Sequence, residues 1–178
     1  MVNLANKDPY LVGKNIVIAL SGGIDSIVLL HFLCSNYTGN VRAVHINHHL
    51  SKFSNDWSNF CTELCQKANI DIKSIDLNIT KSSNIEENAR NCRYNSLKSC
   101  LRKNEILCTA HHQDDQAETL LLQLFRGSGV AGLASMPKLK RFGDSYLYRP
   151  LLDIPKKEII EYAQKNQLQW VEDDSNSN

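Results

Sequence analysis

The sequence predicts an α/β fold, in which a doubly wound and mainly parallel sheet carries helices on both faces. Short apolar runs typical of buried strands alternate with longer helical patterns. Successive runs are about thirty residues apart, which is the size of a strand–helix–strand unit. This alternation favours parallel strands joined by right-handed crossovers, and it places ligands beyond the carboxyl ends of the strands.

The predicted elements follow one another in regular order. Four strands are predicted at Ile16–Leu20, Val41–Ile46, Ile72–Leu77 and Ile106–Ala110. Four helices are predicted at Ile27–Tyr37, Asp56–Asn69, Glu86–Leu101 and Gln113–Phe125. The later part is predicted as a connector at Gly127–Gly132, a hairpin or loop around Gly143-Asp144, a strand at Leu147–Leu152 and a helix from Pro155 to about Asn166.

Length and composition limit the class of protein. A chain of 178 residues can form one domain with a sizeable core. Met1–Tyr10 does not resemble a signal peptide, and no apolar run reaches the roughly 18 residues of a membrane span. We therefore expect a cytoplasmic protein with no membrane partner, whose six cysteines are mostly reduced core thiols. The net charge of +1 does not indicate a nucleic-acid partner, although the basic segment Arg126–Lys157 could face phosphate.

The first strand leads into a polar, glycine-containing turn and then a helix, which is the arrangement of an anion site. The turn consists of Ser21, Gly22, Gly23, Ile24, Asp25 and Ser26. Glycine lets the backbone approach a ligand, and the first N–H groups of a helix have no partner inside it. Neither a Walker lysine motif nor G-x-G-x-x-G is present. Asp25 would repel phosphate unless a divalent cation lay between them, so the turn suits a pyrophosphate bound to Mg²⁺. The alternative is an ordinary strand–helix turn in which a serine caps the helix.

A second polar cluster begins the helix at Gln113. His111 and His112 precede Asp114 and Asp115, and an apolar stripe follows on the same helix (Ala117, Leu120, Leu121, Leu124 and Phe125). The two aspartates could serve only the helix terminus. Beside a phosphate site, however, such a carboxylate could bind Mg²⁺, hold a cationic substrate or accept a proton from an amine. A zinc site built from His45, His48, His49 and this cluster is a minor alternative, since the spacing is poor and no C-x-x-C pair is present.

Two arginines lie on one stripe of the predicted helix Glu86–Leu101. Arg90 and Arg93 share this stripe with Tyr94. The guanidinium groups could bind phosphate, or they could pair with Glu86 and Glu87 on the same helix. Further along, Gly127 is predicted to end the helix after Phe125 in a left-handed conformation. The glycine-rich sequence that begins at Arg126 suggests a flexible substrate-binding loop.

The turn resembles the pyrophosphate loop of the N-type ATP pyrophosphatases, and the motifs together resemble the N-terminal catalytic domain of the tRNA(Ile)-lysidine synthetase family. The matching stretches are Ser21–Ser26, Glu86–Leu97, Thr109–Leu122, Arg126–Met136, Tyr148–Leu152 and Trp170–Asn176. The resemblance implies a Rossmann-like, adenine nucleotide alpha hydrolase-like fold. Residues 1–178 would be the catalytic domain, truncated before C-terminal tRNA-binding domains.

The resemblance also implies a reaction and its participants. ATP and Mg²⁺ would adenylate the wobble cytidine of a tRNA(Ile) with a CAU anticodon, and free L-lysine would then displace AMP, with a homodimer as a possible assembly. The turn Ser21–Ser26 would bind the nucleotide, and Asp25 and Asp115 would be the metal ligands. Catalytic roles would fall to Asp25, Asp114, Asp115, Arg90 and Arg93. Substrate contacts would fall to His111, His112, Glu118 and Arg126.

One stretch departs from the family pattern, and two other functions stay open. His48-His49-Leu50-Ser51 lacks the glycine and arginine that the family usually shows after the second strand. Another ATP pyrophosphatase, such as a tRNA-thiolating enzyme or an amide-forming ligase, is the nearest alternative. A non-catalytic nucleotide-binding module is the second alternative, but it would not need the doubled aspartates.

Overall fold

A computed structural model describes residues 8–77, 85–127, 129 and 134–172. Within these residues, six strands form one sheet in the order β3-β2-β1-β4-β6-β5. The strands are β1 (Asn15–Ala19), β2 (Val41–Asn47), β3 (Asp71–Asp76), β4 (Glu105–Cys108), β5 (Leu139–Phe142) and β6 (Ser145–Tyr148). The helices are α1 (Ile24–Asn36), α2 (Ser54–Lys67), α3 (Ile85–Cys100), α4 (Gln113–Phe125) and α5 (Lys156–Lys165).

The central strand β1 pairs in parallel with a strand on each side. Ile16 lies opposite Val41 of β2 and opposite Ile106 of β4. The β4–β6 and β2–β3 pairs are parallel as well, whereas β5 and β6 form an antiparallel hairpin. Because the chain order reverses on either side of β1, a crevice is expected beyond the carboxyl ends of β1 and β4. The predicted doubly wound, mainly parallel sheet is confirmed.

Alternate residues of β1 pack against helices on opposite faces of the sheet. Ile16 and Ile18 belong to one core, which also contains buried residues of α1, α2 and α5. Val17 belongs to a second core with Leu97 of α3. Side chains of a strand point alternately to the two faces, so an uninterrupted apolar strand requires a helix on both sides.

Most predicted elements are confirmed with small changes of boundary, and α4 spans the predicted residues. The strand predicted at Leu147–Leu152 is wrong in its second half, because β6 ends at Tyr148 and the chain then turns. Pro150 has no N–H for a ladder hydrogen bond, which is one reason that the strand does not continue. Pro155 precedes α5 as its N-cap rather than forming its first residue.

The predicted turns agree with the structure where it describes them. The hairpin turns at Gly143, where φ is +64°. Gly127 follows α4 with φ at +63°, which is the left-handed conformation expected at a helix end. Most of the connector Gly127–Gly132 lies outside the described residues.

The apolar stripe of α4 has an unusual environment, and the prediction about the cysteines needs correction. The apolar stripe of α4 is exposed rather than packed into the core, since none of the residues of this helix is buried. Among the cysteines, Cys61, Cys65 and Cys108 are buried, but Cys34 and Cys92 are exposed. In the described part of the chain, no helix combines the length and the apolar character that crossing a membrane requires.

Candidate active site at the carboxyl edge of the sheet

The turn from β1 to α1 is held in shape by the side chain of Ser26. Its hydroxyl accepts hydrogen bonds from the N–H groups of Ser21 (3.2 Å) and Gly22 (3.1 Å) and donates to the carbonyl of Gly23 (2.9 Å). Ser26 is buried, so this hydroxyl faces the turn itself. No side chain caps the first turn of α1, which leaves its amide groups available to an anion at the positive end of the helix.

Two neighbouring segments brace the same turn from outside. The carbonyl of Leu20 accepts a hydrogen bond from Nδ1–H of His45, at 2.8 Å, which fixes the tautomer of this buried ring. The N–H of Val171 donates to the carbonyl of Gly22, at 3.0 Å. The second contact ties the segment after α5 to the turn, so residues far away in sequence contribute to its geometry.

Four side chains meet beside the turn, those of Asp25, His112, Asp115 and Lys156. Nζ of Lys156 lies 2.5 Å from Oδ1 of Asp25. Nε2 of His112 lies 3.7 Å from the same oxygen and 3.5 Å from Oδ2 of Asp115. The structure therefore brings the two predicted metal-binding carboxylates to the same ring nitrogen of one histidine. The ring of His112 is buried, and its Nδ1 has no hydrogen-bond partner in the described structure.

The two adjacent aspartates of α4 are in different surroundings. Oδ2 of Asp115 accepts the N–H of His112 (2.8 Å), as in a capping box, and stays near the ring of His112. Oδ1 of Asp114 instead accepts the N–H of Lys156 (3.2 Å), at the first turn of α5. Asp114 thus caps a second helix, and Asp115 is the aspartate placed beside Asp25.

His111 is neutral at physiological pH. Its Nδ1 lies 2.9 Å from the hydroxyl of Thr109, directly after β4. Burial lowers the pKa of His111 to about 4, and the nearby guanidinium of Arg149 acts in the same direction. This imidazole can donate or accept a hydrogen bond, but it does not add a positive charge to the site.

The two arginines predicted to share a stripe of α3 do so. The guanidinium groups of Arg90 and Arg93 lie 5.4 Å and 5.7 Å from the centre of the Tyr94 ring. Burial lowers the pKa of Arg93, and the neighbouring charge of Arg90 lowers it further. The alternative pairing with Glu86 and Glu87 involves side chains outside the described residues.

The remaining predicted substrate contacts do not join the cluster. Glu118 is exposed, one turn after Asp115 along α4. Arg126 is exposed just beyond the far end of this helix, about 20 Å from its first residue. Neither side chain forms an ion pair with a described residue.

Lys156 is not among the residues predicted from the sequence. It lies 131 positions from its partner Asp25, and such a distance cannot be read from local pattern. The sequence does contain a weak indication of this pair. A lysine in the first turn of a helix is unfavourable because its charge opposes the helix dipole, so a compensating negative group is expected nearby. That group is the carboxylate of Asp25.

Oxygen donors at this edge fit a magnesium ion that retains water or phosphate ligands. Asp25 and Asp115 supply carboxylates, and Asp25 already has a cation, the ammonium of Lys156, against its oxygen. No cluster of three or more histidine, cysteine, aspartate or glutamate side chains suited to a metal occurs among the described residues. The zinc alternative therefore gains no support there, whereas Mg²⁺ commonly needs only one or two protein carboxylates.

The sequence of the chain matches one family model and many curated relatives. The model describes a PP-loop domain and matches residues 2–178. The tRNA(Ile)-lysidine synthase of Coxiella burnetii is 47% identical over 168 residues, which cover 92% of this chain and 37% of the relative. The enzyme of the same name from Haemophilus ducreyi is 47% identical over 164 residues, covering 92% and 38%. The chain thus spans less than two fifths of the length of these relatives.

Solved structures share the fold at low sequence identity. The U34-tRNA thiolase NcsA from Methanococcus maripaludis, with its [4Fe-4S] cluster, has a TM-score of 0.73 at 21% identity, covering 94% of this chain and 62% of the thiolase chain. NMN synthetase from Francisella tularensis has a TM-score of 0.64 at 17% identity, covering 93% and 66%. These likenesses establish the architecture alone.

Proposed function

The chain belongs to the PP-loop domain family, and on that premise we propose that it forms the catalytic domain of a tRNA(Ile)-lysidine synthase. The substrates would be ATP, free L-lysine and a tRNA(Ile) with a CAU anticodon. The observation that carries the proposal is the 47% identity to enzymes of that name over 92% of the chain. Residues 1–178 would make up this domain, and tRNA-binding domains would follow it in the complete enzyme.

The reaction would proceed in two displacement steps. The O2 atom of the wobble cytidine attacks the α-phosphorus of ATP, and the bond to pyrophosphate breaks. The ε-amine of lysine, after giving up one proton, then attacks C2 of the activated cytidine, the bond to AMP breaks, and the nitrogen releases a second proton to a carboxylate or water. ATP supplies the driving force because each step releases a phosphate leaving group.

The turn at Ser21–Ser26 is suited to hold the departing pyrophosphate. Its free first-turn amides and the helix dipole favour negative charge at this position. A magnesium ion held by Asp25 would neutralise phosphate charge and so remove the repulsion between this carboxylate and the phosphates. Lys156, whose ammonium already neutralises Asp25, would then be available as a second cation for the phosphates.

Asp115 is the carboxylate best placed to receive the substrate amine. A lysine amine has an ordinary pKa of about 10.4, so it must lose a proton before it can attack. Asp115 lies beside the same ring nitrogen of His112 as Asp25, close to the proposed nucleotide site. The carboxylate of Asp114 accepts the N–H of Lys156 at the N-terminus of α5, so Asp114 acts as a positioning residue for Lys156.

Transfer of labelled lysine tests the proposal directly. The protein that carries this chain is incubated with ATP, Mg²⁺, radiolabelled L-lysine and tRNA(Ile) with a CAU anticodon, and label in the RNA is counted. We expect incorporation, and we expect Asp25→Asn and Asp115→Asn to slow it by about 100-fold or more, the usual range for a lost electrostatic or proton-transfer group.

The matched control is Asp144→Asn in the exposed turn of the hairpin, which should leave the rate unchanged. Pyrophosphate release accompanied by sulfur transfer to RNA would instead identify a thiolating enzyme. Nucleotide binding without turnover would identify a non-catalytic module.

A further inference from the structure

Arg149 is a buried arginine at the carboxyl edge of the sheet that the proposed reaction does not yet use. It directly follows the last residue of β6, and its side chain is among the buried charged groups, with 4% of the residue exposed. The neighbouring main chain is fixed, since the carbonyl of Tyr148 accepts the N–H of Thr109 (3.0 Å) and the N–H of Arg149 donates to Lys138 (2.9 Å). Arg149 therefore stands beside the segment that carries His111.

The guanidinium of Arg149 is a buried cation whose partners in the described structure are neutral, a main-chain carbonyl and the side chain of Tyr94. Nη1 donates to the carbonyl of Pro137, at 2.6 Å. Nε is buried and has no partner in the described part of the structure. No carboxylate of a described residue forms an ion pair with Arg149. Burying a charge without an opposite charge is costly, so such an arrangement indicates that an anion binds there.

Other positive or unpartnered donors surround the same position. The charge of Arg90 lowers the pKa of both Arg149 and Arg93, in addition to the effect of burial. Arg149 and Arg93 in turn act on His111. The Nδ1 atom of His48 is buried and, among the described residues, has no partner. Arg90 is within electrostatic range of both Arg149 and Arg93, and none of the three has a paired carboxylate among the described residues, so positive charge is concentrated at this edge.

We propose that Arg149, together with Arg90 and Arg93, forms a second oxyanion site that takes a phosphate ester group. Three guanidiniums offer more N–H donors than a carboxylate with two oxygens can accept, whereas a phosphate presents more oxygens in a compatible geometry. Tyr94 stacks with Arg90 and Arg93 and interacts with Arg149, so it holds the three side chains together.

The phosphate has two sources that share this chemistry, a nucleotide or the backbone of an RNA. The site is separate from the turn at Ser21–Ser26, because it is formed by α3 and the end of β6 rather than by the N-terminus of α1. Assigning the phosphate to ATP or to a tRNA rests on the proposed function. The existence of the oxyanion site does not depend on that function.

Binding measurements on matched variants test the site. Isothermal titration of the 178-residue chain with inorganic phosphate, ATP and a short RNA hairpin is compared for wild type, Arg149→Met, Arg149→Lys and Arg141→Met. Arg141 lies exposed on β5 and is the control for loss of one arginine. We expect Arg149→Met to weaken at least one phosphate-bearing ligand about tenfold or more, Arg149→Lys to weaken it less, and Arg141→Met to have no effect.

The pattern of losses distinguishes the sources. Loss of ATP affinity with unchanged RNA affinity identifies a nucleotide phosphate, and the reverse identifies the RNA backbone. Unchanged affinity for all phosphate ligands in Arg149→Met overturns the proposal, as does loss of affinity for free lysine alone. If Arg149→Met does not fold, Arg93→Met is titrated in the same way, with the same outcomes.

The result is independent of lysine transfer. If wild type transfers no lysine to RNA but Arg149→Met still loses phosphate affinity, the proposed function fails and the oxyanion site stands. If wild type transfers lysine and the Arg149 and Arg93 variants bind every phosphate ligand normally, the proposed function stands and the oxyanion site fails.

Discussion

At the residue scale, Gly22 shows how closely the turn after β1 is packed. Its φ is +94°, which side chains rarely adopt, and an added Cβ would lie 2.9 Å from Cγ2 of Val171 and 3.2 Å from Sγ of Cys61. The neighbouring Gly23 has an extended backbone, and an added Cβ would meet an ordinary contact at 3.7 Å. The two glycines therefore have different structural requirements.

This difference gives a paired prediction. We expect Gly22→Ala to lower the free energy of unfolding by about 1–3 kcal/mol, because it combines backbone strain with a steric clash. Gly23→Ala should change it by less than about 1 kcal/mol. Urea denaturation of both variants measures the effect, and equal losses would contradict the explanation.

The polar residues of the site differ in whether their side chains meet at His112 or hold another part of the chain in place. Asp25 and Asp115 face the same histidine, whereas Asp114 and Ser26 use their side chains within the protein. Residues adjacent in sequence can therefore play different roles, as Asp114 and Asp115 do, because the helix points their side chains in different directions.

At the scale of elements, α4 is unusual because its apolar residues lie in solvent. Leu121, Leu122 and Leu124 are each about half exposed, at 51%, 54% and 52%, and Phe125 is 85% exposed. An apolar stripe usually indicates the face that packs on a core. Here the N-terminal turn of the helix joins the site through His112 and Asp115, while the rest extends away from the described core.

The exposure of α4 predicts that its leucines contribute little to folding. We expect Leu124→Ala to change the free energy of unfolding by less than about 1 kcal/mol, because about half of the side chain is already in water. The matched substitution Leu107→Ala, at a fully buried position of β4, should cost about 2–5 kcal/mol. Denaturation in urea distinguishes them, and a comparable loss at Leu124 would mean that this face is covered in solution.

At the scale of the whole molecule, buried histidines couple folding to pH. Burial lowers the pKa of His31, His45, His48 and His111 below the ordinary value of 6.5. Below pH 6.5 the unfolded chain therefore binds more protons than the folded chain, so acid favours unfolding. The stability from these groups is present above about pH 6.5 and is lost as pH falls toward the folded values, which is about 4 for His111.

Acidification should thus lower the free energy of unfolding between pH 6.5 and 4.5. Each such histidine contributes up to about 1.4 kcal/mol per pH unit to the slope. We expect His111→Gln to reduce the slope, since it removes a histidine whose pKa burial lowers to about 4. Urea denaturation at intervals of half a pH unit measures this, and an unchanged slope in the variant would contradict the prediction.

Local pattern was sufficient to predict the elements and the central turn of this protein. The first four strands, the bounds of α4, the hairpin at Gly143 and the glycine-containing turn at Ser21–Ser26 all follow from hydrophobic periodicity and from the positions of glycine and proline, which act over a few residues. The sequence also placed Asp25 and the start of α4 at strand ends, and parallel strands bring such ends to one edge.

Only the tertiary structure decided which side chains meet at that edge. The pairing of Lys156 with Asp25, the burial of Arg149 without a described carboxylate partner and the capping of α5 by Asp114 join residues far apart in sequence. The exposure of α4 likewise depends on what packs against it rather than on its own stripe. Backbone patterns are set by neighbouring residues, whereas the pairing of charges and the covering of apolar faces are set by packing of the whole chain, and this is why the sequence alone determined the elements but not their contacts.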